Sequence, residues 1–326
     1  MTDDQKPEAP DPKAPDLGDI RAAAERIRPY AHRTPVLTSS SLNAMGGAEL
    51  FFKCENLQKV GAFKFRGAAN TVFSLSDGEA SRGVATHSSG NHAQALALAS
   101  RLRGVPAHIV MPENSPRVKV AAVRGYGARI IFCPPTQRDR EQTLEKVVAR
   151  TGAVFIHPYD NPGIIAGQGT CAMELMEQVP DLDTVIAPVG GGGLLSGTAL
   201  ACRFLKPGIR VIGVEPKGAD DAFRSLRDGR IYPSENPRTI ADGLRTSLGT
   251  LTFPIIRRYV ERIVTVGENS IVAAMRAVWE RMKILIEPSA AVPLAGILEG
   301  NVEARDKRIG IILSGGNLDL DTLPWL

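Results

Sequence analysis

Long hydrophobic runs are absent from this sequence, and charge of neither sign dominates it. No window of the 326 residues reaches the run of about 18 apolar residues that suggests a membrane span. The N-terminal residues are polar and lack the apolar stretch of a secretory signal peptide. Lysine and arginine are interspersed with acids, and the net charge of +4 gives no basic nucleic-acid surface. We therefore expect a soluble cytoplasmic protein that binds neither nucleic acid nor membrane.

Cysteine is also scarce, and its spacing gives no metal or redox motif. The four cysteines are far apart, and none forms a CxxC pair: Cys54, Cys133, Cys171 and Cys202. This pattern predicts buried thiols in a reducing compartment.

The length and the alternation of segments predict two lobes. Residues 1–17 are rich in proline, aspartate and lysine, so we expect a disordered tail. After it, short β-branched segments alternate with helical patterns, which predicts an α/β fold with open, mostly parallel, twisted sheets. We expect a small mobile lobe over residues 76–158 and a large lobe built from residues 18–75 and 159–326. Only thirteen residues follow Leu313, so no separate regulatory module is expected.

The sequence also predicts the local structure of several segments. Asp19 is expected to cap the first helix. Residues 37–42 are expected to form a polar turn, and residues 228–252 to be mostly loop because glycine, proline, serine and threonine are frequent there. Residues 49–54 and 308–313 have the apolar patterns of strands.

One lysine has an unusual apolar setting. Lys64 lies between Phe63 and Phe65, in the stretch Gly-Ala-Phe-Lys-Phe-Arg-Gly. An apolar pocket penalises the ammonium form and lowers the pKa, which leaves more free amine to act as a nucleophile. Taken alone, the stretch is more typical of a surface lysine whose stem is packed.

Three further stretches follow predicted strands, where α/β sheets bind ligands. Four glycines between a buried strand and a helix would expose backbone N–H groups to a phosphate, although a flexible turn has the same composition. The stretch of residues 88–92 could bind a carboxylate by the same physics, with Asn91 as a helix cap in the simpler interpretation. Ser314, before Gly-Gly-Asn, is either a ligand residue or part of a common strand-end turn. The stretches contain Ser88, Ser89, Gly90, Asn91, His92, then Gly190, Gly191, Gly192, Gly193, then Ser314.

Together, and in this order, these stretches resemble the fold-type II pyridoxal-phosphate enzymes from about Ile20 to the C-terminus. The resemblance is strongest to the serine/threonine dehydratase, serine racemase and 3-hydroxyaspartate dehydratase branch. It implies a two-lobed fold like the tryptophan synthase β subunit, pyridoxal 5′-phosphate as cofactor, and a homodimer. By resemblance, Lys64 and Phe63 contact the cofactor, Lys64 through a Schiff base, and the glycines hold its phosphate. Ser314 would hydrogen-bond the pyridine nitrogen and Asn91 the 3′-oxygen, while residues 88–92 would hold the substrate α-carboxylate.

Ser89 leaves the choice between elimination and racemisation open. A hydroxyl on the cofactor face opposite Lys64 could serve as the second base that racemisation needs. Elimination needs only Lys64 and an acid for the leaving hydroxyl, and Ser89 would then only bind carboxylate. Tyr159 follows His-Pro, as in threonine dehydratases, whereas some racemases have asparagine there. His87 and His157 are expected to be packed or hydrogen-bonded rather than catalytic.

Two charged features bear on metal binding and substrate choice. Acidic turns are usually solvated, but the resemblance implies a structural or activating cation (Mg²⁺, Ca²⁺ or Mn²⁺) held by Glu215, Asp221 and the carbonyl of Ala219. Arg140 either belongs to a charged helix start or pairs bidentately with a second substrate carboxylate. The second interpretation favours 3-hydroxyaspartate over serine or threonine.

The resemblance thus implies a dehydratase that removes water from a β-hydroxy amino acid and releases a 2-oxo acid and ammonia. The candidates are 3-hydroxyaspartate, L-threonine and L-serine. The alternatives are a racemase on the same site, a non-catalytic ligand-binding relative, and a β-replacement enzyme such as cysteine synthase. A non-catalytic relative has no need for Lys64. The β-replacement enzymes usually have Thr-Ser-Gly-Asn-Thr where this chain has Ser-Ser-Gly-Asn-His.

Overall fold

The computed structural model describes residues 14–115 and 117–325 of the chain. Residues 1–13 of the predicted disordered tail therefore lie outside the described residues. The strands of the described part are β1 (Val36–Leu37), β2 (Glu49–Cys54), β3 (Val84–His87), β4 (Ala107–Pro112), β5 (Arg129–Cys133), β6 (Val154–Phe155), β7 (Thr184–Pro188), β8 (Arg210–Pro216), β9 (Arg262–Val266) and β10 (Arg308–Leu313). The α-helices are α1 (Leu17–Ile27), α2 (Ser40–Gly46), α3 (Lys64–Ser74), α4 (Asp77–Ser81), α5 (Asn91–Arg103), α6 (Arg117–Gly125), α7 (Gln137–Thr151), α8 (Pro162–Gln178), α9 (Gly193–Leu205), α10 (Asp221–Asp228), α11 (Thr252–Tyr259), α12 (Glu268–Met282) and α13 (Pro288–Leu298).

The strands form two sheets, and nearly all of their pairs are parallel. The larger sheet has the order β1-β2-β10-β7-β8-β9, and the smaller one has the order β5-β4-β3-β6. Within the described residues, only β1 pairs antiparallel, against β2. The carboxyl ends of β2, β10, β7 and β8 therefore meet at one edge, which is where ligand loops lie in such sheets. The α/β class predicted from the sequence is confirmed.

Close helix packing fixes the start of α3, where Lys64 lies. A Cβ atom on Gly167 of α8 would lie 2.6 Å from the Cα atom of Gly67 in α3. On the other side of α8, a Cβ atom on Gly197 of α9 would lie 2.6 Å from the backbone nitrogen of Gly169. Since real Cβ atoms cannot approach so closely, glycine lets these three helices pack backbone to backbone.

The structure corrects two of the local predictions. Asp16, not Asp19, caps α1, because the two side chains form a reciprocal capping box and Asp16 accepts from the backbone N–H of Asp19. The predicted polar turn at residues 37–42 is wrong, since α2 begins at Ser40 and the Ser39 hydroxyl caps it. The predicted strands at Glu49–Cys54 and Arg308–Leu313 are confirmed.

Candidate active site

Lys64 begins α3 at the edge of the large sheet. The backbone N–H of Phe63 donates to the carbonyl of Ser314 (3.0 Å), which ties the lysine loop to the residue that follows β10. The Lys64 ammonium donates to the Pro158 carbonyl (2.8 Å). Burial lowers the pKa of Lys64 to about 8, and the nearby carboxylate of Glu287 partly offsets this effect. Near neutral pH, part of the lysine is therefore free amine.

A buried ionic network supports the helix that carries Lys64. The guanidinium of Arg66 is fully buried and donates to both oxygens of Glu55 (2.7 and 2.8 Å). It also donates to both oxygens of Glu174 (2.8 Å each). Lys53 completes the group through a 2.7 Å bond to Glu174. Two cations and two anions leave this buried cluster without net charge, as its low-dielectric surroundings require.

The glycine loop between β7 and α9 has the form of an anion cradle. A Cβ atom on Gly191 would lie 2.4 Å from the ring of Tyr159, and one on Gly190 would lie 3.0 Å from the Cα atom of Leu244. Gly192 has φ +89°, a conformation that side chains disfavour. No side chain caps α9, which begins at Gly193, so its first N–H groups remain available to a phosphate.

The second loop, residues 88–92, lies at the carboxyl end of β3. Gly90, not Asn91, is the cap residue of α5, and no side chain caps that helix. The Asn91 amide therefore serves another purpose: its Nδ2 donates to Glu287 (2.9 Å), and its Oδ1 accepts from Asn317 (3.0 Å). The ring of His92 is buried, with Nε2 3.4 Å from the Ile156 carbonyl oxygen. His92 thus contributes its backbone N–H to the loop rather than its imidazole.

Glu287 is a site residue that the sequence reasoning missed. Its carboxylate is 3% exposed and accepts from Asn91 and from the backbone N–H of Asn317. A Cβ atom on Gly315 would lie 2.6 Å from Oε1, so glycine is required beside it. Burial, and then the Asp242 carboxylate, raise the pKa of Glu287 to about 7. A lone acid in the apolar stretch Ile-Leu-Ile-Glu-Pro was the available signal.

The raised pKa of Glu287 predicts a specific pH dependence of stability. The carboxyl binds its proton more tightly in the folded protein than at the ordinary pKa of 4.5. Stability from this group is therefore lost as pH rises from about 4.5 through about 7. Glu287→Gln should remove that loss. The unfolding free energy of the variant, relative to that of the natural chain, should therefore increase by about 2 kcal/mol as pH rises from 5 to 7.5. Urea unfolding of both proteins at each pH measures the difference, and a constant difference would contradict the raised pKa.

Arg140 lies in the first turn of α7 and is half-buried. Among the described residues, its Nε atom has no hydrogen-bond partner. Burial lowers the pKa of His87 and the Arg140 guanidinium lowers it further, so the two groups are close. His87 ends β3 and directly precedes the loop with Ser88 and Ser89. The structure thus brings Arg140 to the beginning of the predicted carboxylate loop.

Two buried carboxylates lie near the end of β8 and at the start of α10. Glu215 accepts from the backbone N–H groups of Phe223 (2.5 Å) and Ala222 (3.3 Å). Burial and the Asp221 carboxylate raise the pKa of Glu215 well above its ordinary value. Burial raises the pKa of Asp221 to about 6, and its Oδ2 atom has no partner among the described residues. The described part of the chain holds no group of three or more His, Cys, Asp or Glu side chains placed for a metal, so a cation here would also need a carbonyl such as that of Ala219.

Comparison with known proteins identifies the family. A family model described as "Pyridoxal-phosphate dependent enzyme" matches residues 27–315. The chain belongs to this family. The predicted cofactor is thereby confirmed, and the uncapped glycine loop and the lysine with a lowered pKa fit it. In this pyridoxal-phosphate enzyme, no helix of the described residues is long and apolar enough to cross a membrane.

Relatives of this pyridoxal-phosphate enzyme match it over nearly their whole length. It is 52% identical over 311 residues to a protein from Paracoccus denitrificans named beta-hydroxyaspartate dehydratase, covering 95% of this chain and 99% of the relative. It is 52% identical over 307 residues to the L-threo-3-hydroxyaspartate ammonia-lyase of Saccharomyces cerevisiae, covering 94% of each. The crystal structure of serine racemase from Dictyostelium discoideum superposes with a TM-score of 0.90 at 52% identity, covering 94% of this chain and 99% of that one.

Proposed function

We propose that this enzyme is a 3-hydroxyaspartate dehydratase that releases a 2-oxo acid and ammonia. The observation that carries the choice of substrate is Arg140, half-buried beside His87, with an unpaired Nε atom among the described residues. A guanidinium in such a place can bind a second carboxylate bidentately. Serine and threonine lack that carboxylate. The names of two close relatives support the same substrate class.

Each loop of the site and Lys64 would have a separate role in the reaction. Pyridoxal phosphate, when bound, supplies the electron sink that acidifies the substrate α-carbon. The uncapped start of α9 would hold the phosphate, and the N–H groups at the start of α5 would hold the α-carboxylate. The Lys64 amine would take the substrate α-proton, because burial keeps part of this lysine unprotonated. Loss of that proton and of the β-hydroxyl removes one water, and hydrolysis of the resulting imine gives the 2-oxo acid and ammonia.

The direct test is 2-oxo acid release from L-threonine, L-serine and each stereoisomer of 3-hydroxyaspartate, measured side by side with Mg²⁺ present. We expect kcat/KM for at least one 3-hydroxyaspartate isomer to exceed that for serine and threonine by about 10²-fold. This is the discrimination expected from one desolvated charge pair. Equal or better turnover of serine or threonine would reject the substrate assignment and leave a dehydratase of different specificity.

A racemase on the same site is the second candidate. It is favoured by Ser89 in the carboxylate loop and by the similarity to the Dictyostelium serine racemase structure. Racemisation requires an acid that delivers a proton to the face opposite Lys64. Ser89→Ala would then abolish inversion and leave elimination, whereas a purely carboxylate-binding Ser89 would mainly raise KM.

We also propose that Glu215, Asp221 and the carbonyl of Ala219 bind a divalent cation such as Mg²⁺. Two buried carboxylates with raised pKa values are mutually repulsive, and a cation would relieve this repulsion. Saturating Mg²⁺ should raise Tm by about 5 °C. Asp221→Asn should remove that response and should itself raise Tm in the absence of metal.

Asp220→Asn is the matched control for the cation prediction. Asp220 is the neighbouring carboxylate, but it is partly exposed and pairs with Arg224 (2.9 Å). The response of Tm to Mg²⁺ should survive this change. A full response in Asp221→Asn would show that the cation binds elsewhere.

The homodimer and the cytoplasmic location remain predictions. Leu57 and Leu285 are 45% and 50% exposed, and the Asn56 amide donates to the Leu285 carbonyl, so two exposed leucines lie on neighbouring segments. Exposed apolar side chains of this kind support a protein contact. All four cysteines are free and buried, which supports a reducing compartment.

A further inference from the structure

One turn connects the small sheet to α8 and contacts both Lys64 and the glycine loop. The turn consists of residues 157–160, between β6 and α8. The His157 ring accepts from the backbone N–H groups of Asp160 (2.8 Å) and Tyr159 (3.3 Å), which closes the turn. Its Pro158 carbonyl accepts from Lys64. Its Tyr159 ring packs on Gly191 of the glycine loop.

The Asp160 carboxylate anchors this turn to residues 250–252, at the start of α11. Oδ1 accepts from the backbone N–H groups of Leu251 (2.9 Å) and Thr252 (3.1 Å). Oδ2 accepts from the N–H (3.0 Å) and the hydroxyl (3.1 Å) of Thr250. The residue that precedes α11 gives it no side-chain cap, so Asp160 supplies the cap from a distant part of the chain. Four charge-assisted hydrogen bonds on one carboxylate make a rigid connection.

The anchored segment continues to the glycine loop. The Thr252 hydroxyl donates to the carbonyl of Gly191 (2.9 Å) and accepts from the N–H of Gly249 (2.8 Å). A Cβ atom on Gly249 would lie 2.1 Å from the Asp160 carboxylate, so the segment must pass this close to it. Gly191 is therefore held by the Tyr159 ring on one side and by Thr252 on the other, and Asp160 connects the two.

We infer that Asp160 is a positioning residue for the cofactor phosphate. Asp160 fixes the conformation of the glycine loop through Thr252 and Tyr159. The turn that contains Asp160 also positions the Pro158 carbonyl, which accepts a hydrogen bond from Lys64. The inference rests on the cofactor phosphate lying at the glycine loop. Because the loop of residues 88–92 makes none of these contacts, binding of the substrate carboxylate should not depend on Asp160.

Asp160→Asn tests this role while keeping the shape of the side chain. Asparagine keeps one acceptor oxygen and turns an NH₂ group towards the donors of residues 250–252. We expect the Kd for pyridoxal phosphate, titrated into cofactor-free protein, to rise about tenfold or more. The ³¹P resonance of the bound cofactor should shift or broaden. At saturating cofactor, the substrate KM should change by less than about threefold, since the carboxylate loop is intact.

Asp16→Asn is the matched control, because Asp16 also caps a helix but lies at the start of α1. Its asparagine can still accept from the backbone N–H of Asp19, so Tm should change little and the cofactor Kd should be unchanged. Thr252→Val removes the hydrogen bond from the Thr252 hydroxyl to the Gly191 carbonyl. Its effect on the cofactor Kd should be non-additive with that of Asp160→Asn. Unchanged Kd and ³¹P signals in Asp160→Asn, or in Thr252→Val if the first variant does not fold, would overturn the inference, as would strict additivity. Failure of the natural chain to bind the cofactor would instead reject the cofactor site itself.

Discussion

Lys64→Ala should abolish turnover, with a loss of about 10⁴-fold or more, because the change removes both the covalent partner of the cofactor and the base for the α-proton. The visible absorption of lysine-bound cofactor should also disappear. The uncapped start of α9 is not altered by this change, so the cofactor should still bind, more weakly, through its phosphate. Absorption spectra and single-turnover oxo acid formation measure both effects.

The fold should tolerate this change. Burial of an ammonium group is unfavourable, as the lowered pKa of Lys64 shows. The unfolding free energy of cofactor-free Lys64→Ala should therefore not fall below that of the natural chain. Lys146→Ala, an exposed lysine on α7, is the control and should keep full activity. Turnover that survived Lys64→Ala would reject the assigned role of Lys64.

Arg140→Met should lower kcat/KM for 3-hydroxyaspartate by about 10² to 10³-fold, because the second carboxylate loses its charged partner in a partly desolvated place. For serine or threonine, kcat/KM should change by less than about threefold, since neither substrate uses the guanidinium. The ratio between the substrates is therefore the decisive quantity, and parallel initial-rate measurements provide it.

Arg138→Met is the matched control for that prediction. Arg138 lies two residues earlier in the same helix and is exposed. We expect no change in the substrate ratio. If Arg140→Met lost the same activity on all substrates, Arg140 would have a structural or general catalytic role. The proposal that 3-hydroxyaspartate is the substrate would then lose its physical basis.

The sequence predicts best the elements whose apolar pattern is continuous. Strands β2 and β10 were predicted to the residue, because both lie in the interior of the large sheet and their patterns end at polar or glycine residues. Helix α2 was missed because a run of serines is typical of turns, although one serine in it serves as a cap. The short helices α10 and α11 were also missed. The start of α10 is stabilised by the carboxylate of Glu215 in the preceding strand, and the start of α11 by the carboxylate of Asp160, which lies far back in the chain.

The same reason limits the prediction of the site. Lys64, the glycine loop and residues 88–92 could be predicted because each is a continuous motif with its own chemistry. Glu287 could not, because its role depends on Asn91, 196 residues away in sequence. Asp160 depends in the same way on a segment 90 or more residues further along. Contacts of this range arise only from the order of the parallel strands, which sequence periodicity does not reveal.

We propose that the site eliminates the β-hydroxyl rather than inverting the α-carbon. One measurement separates these outcomes: NMR of each 3-hydroxyaspartate stereoisomer with the enzyme, pyridoxal phosphate and Mg²⁺ in D₂O. We expect 2-oxo acid and ammonia to accumulate from at least one isomer, with little α-deuterated substrate. Accumulation of α-deuterated or inverted hydroxyaspartate without oxo acid would reject elimination and would favour a racemase.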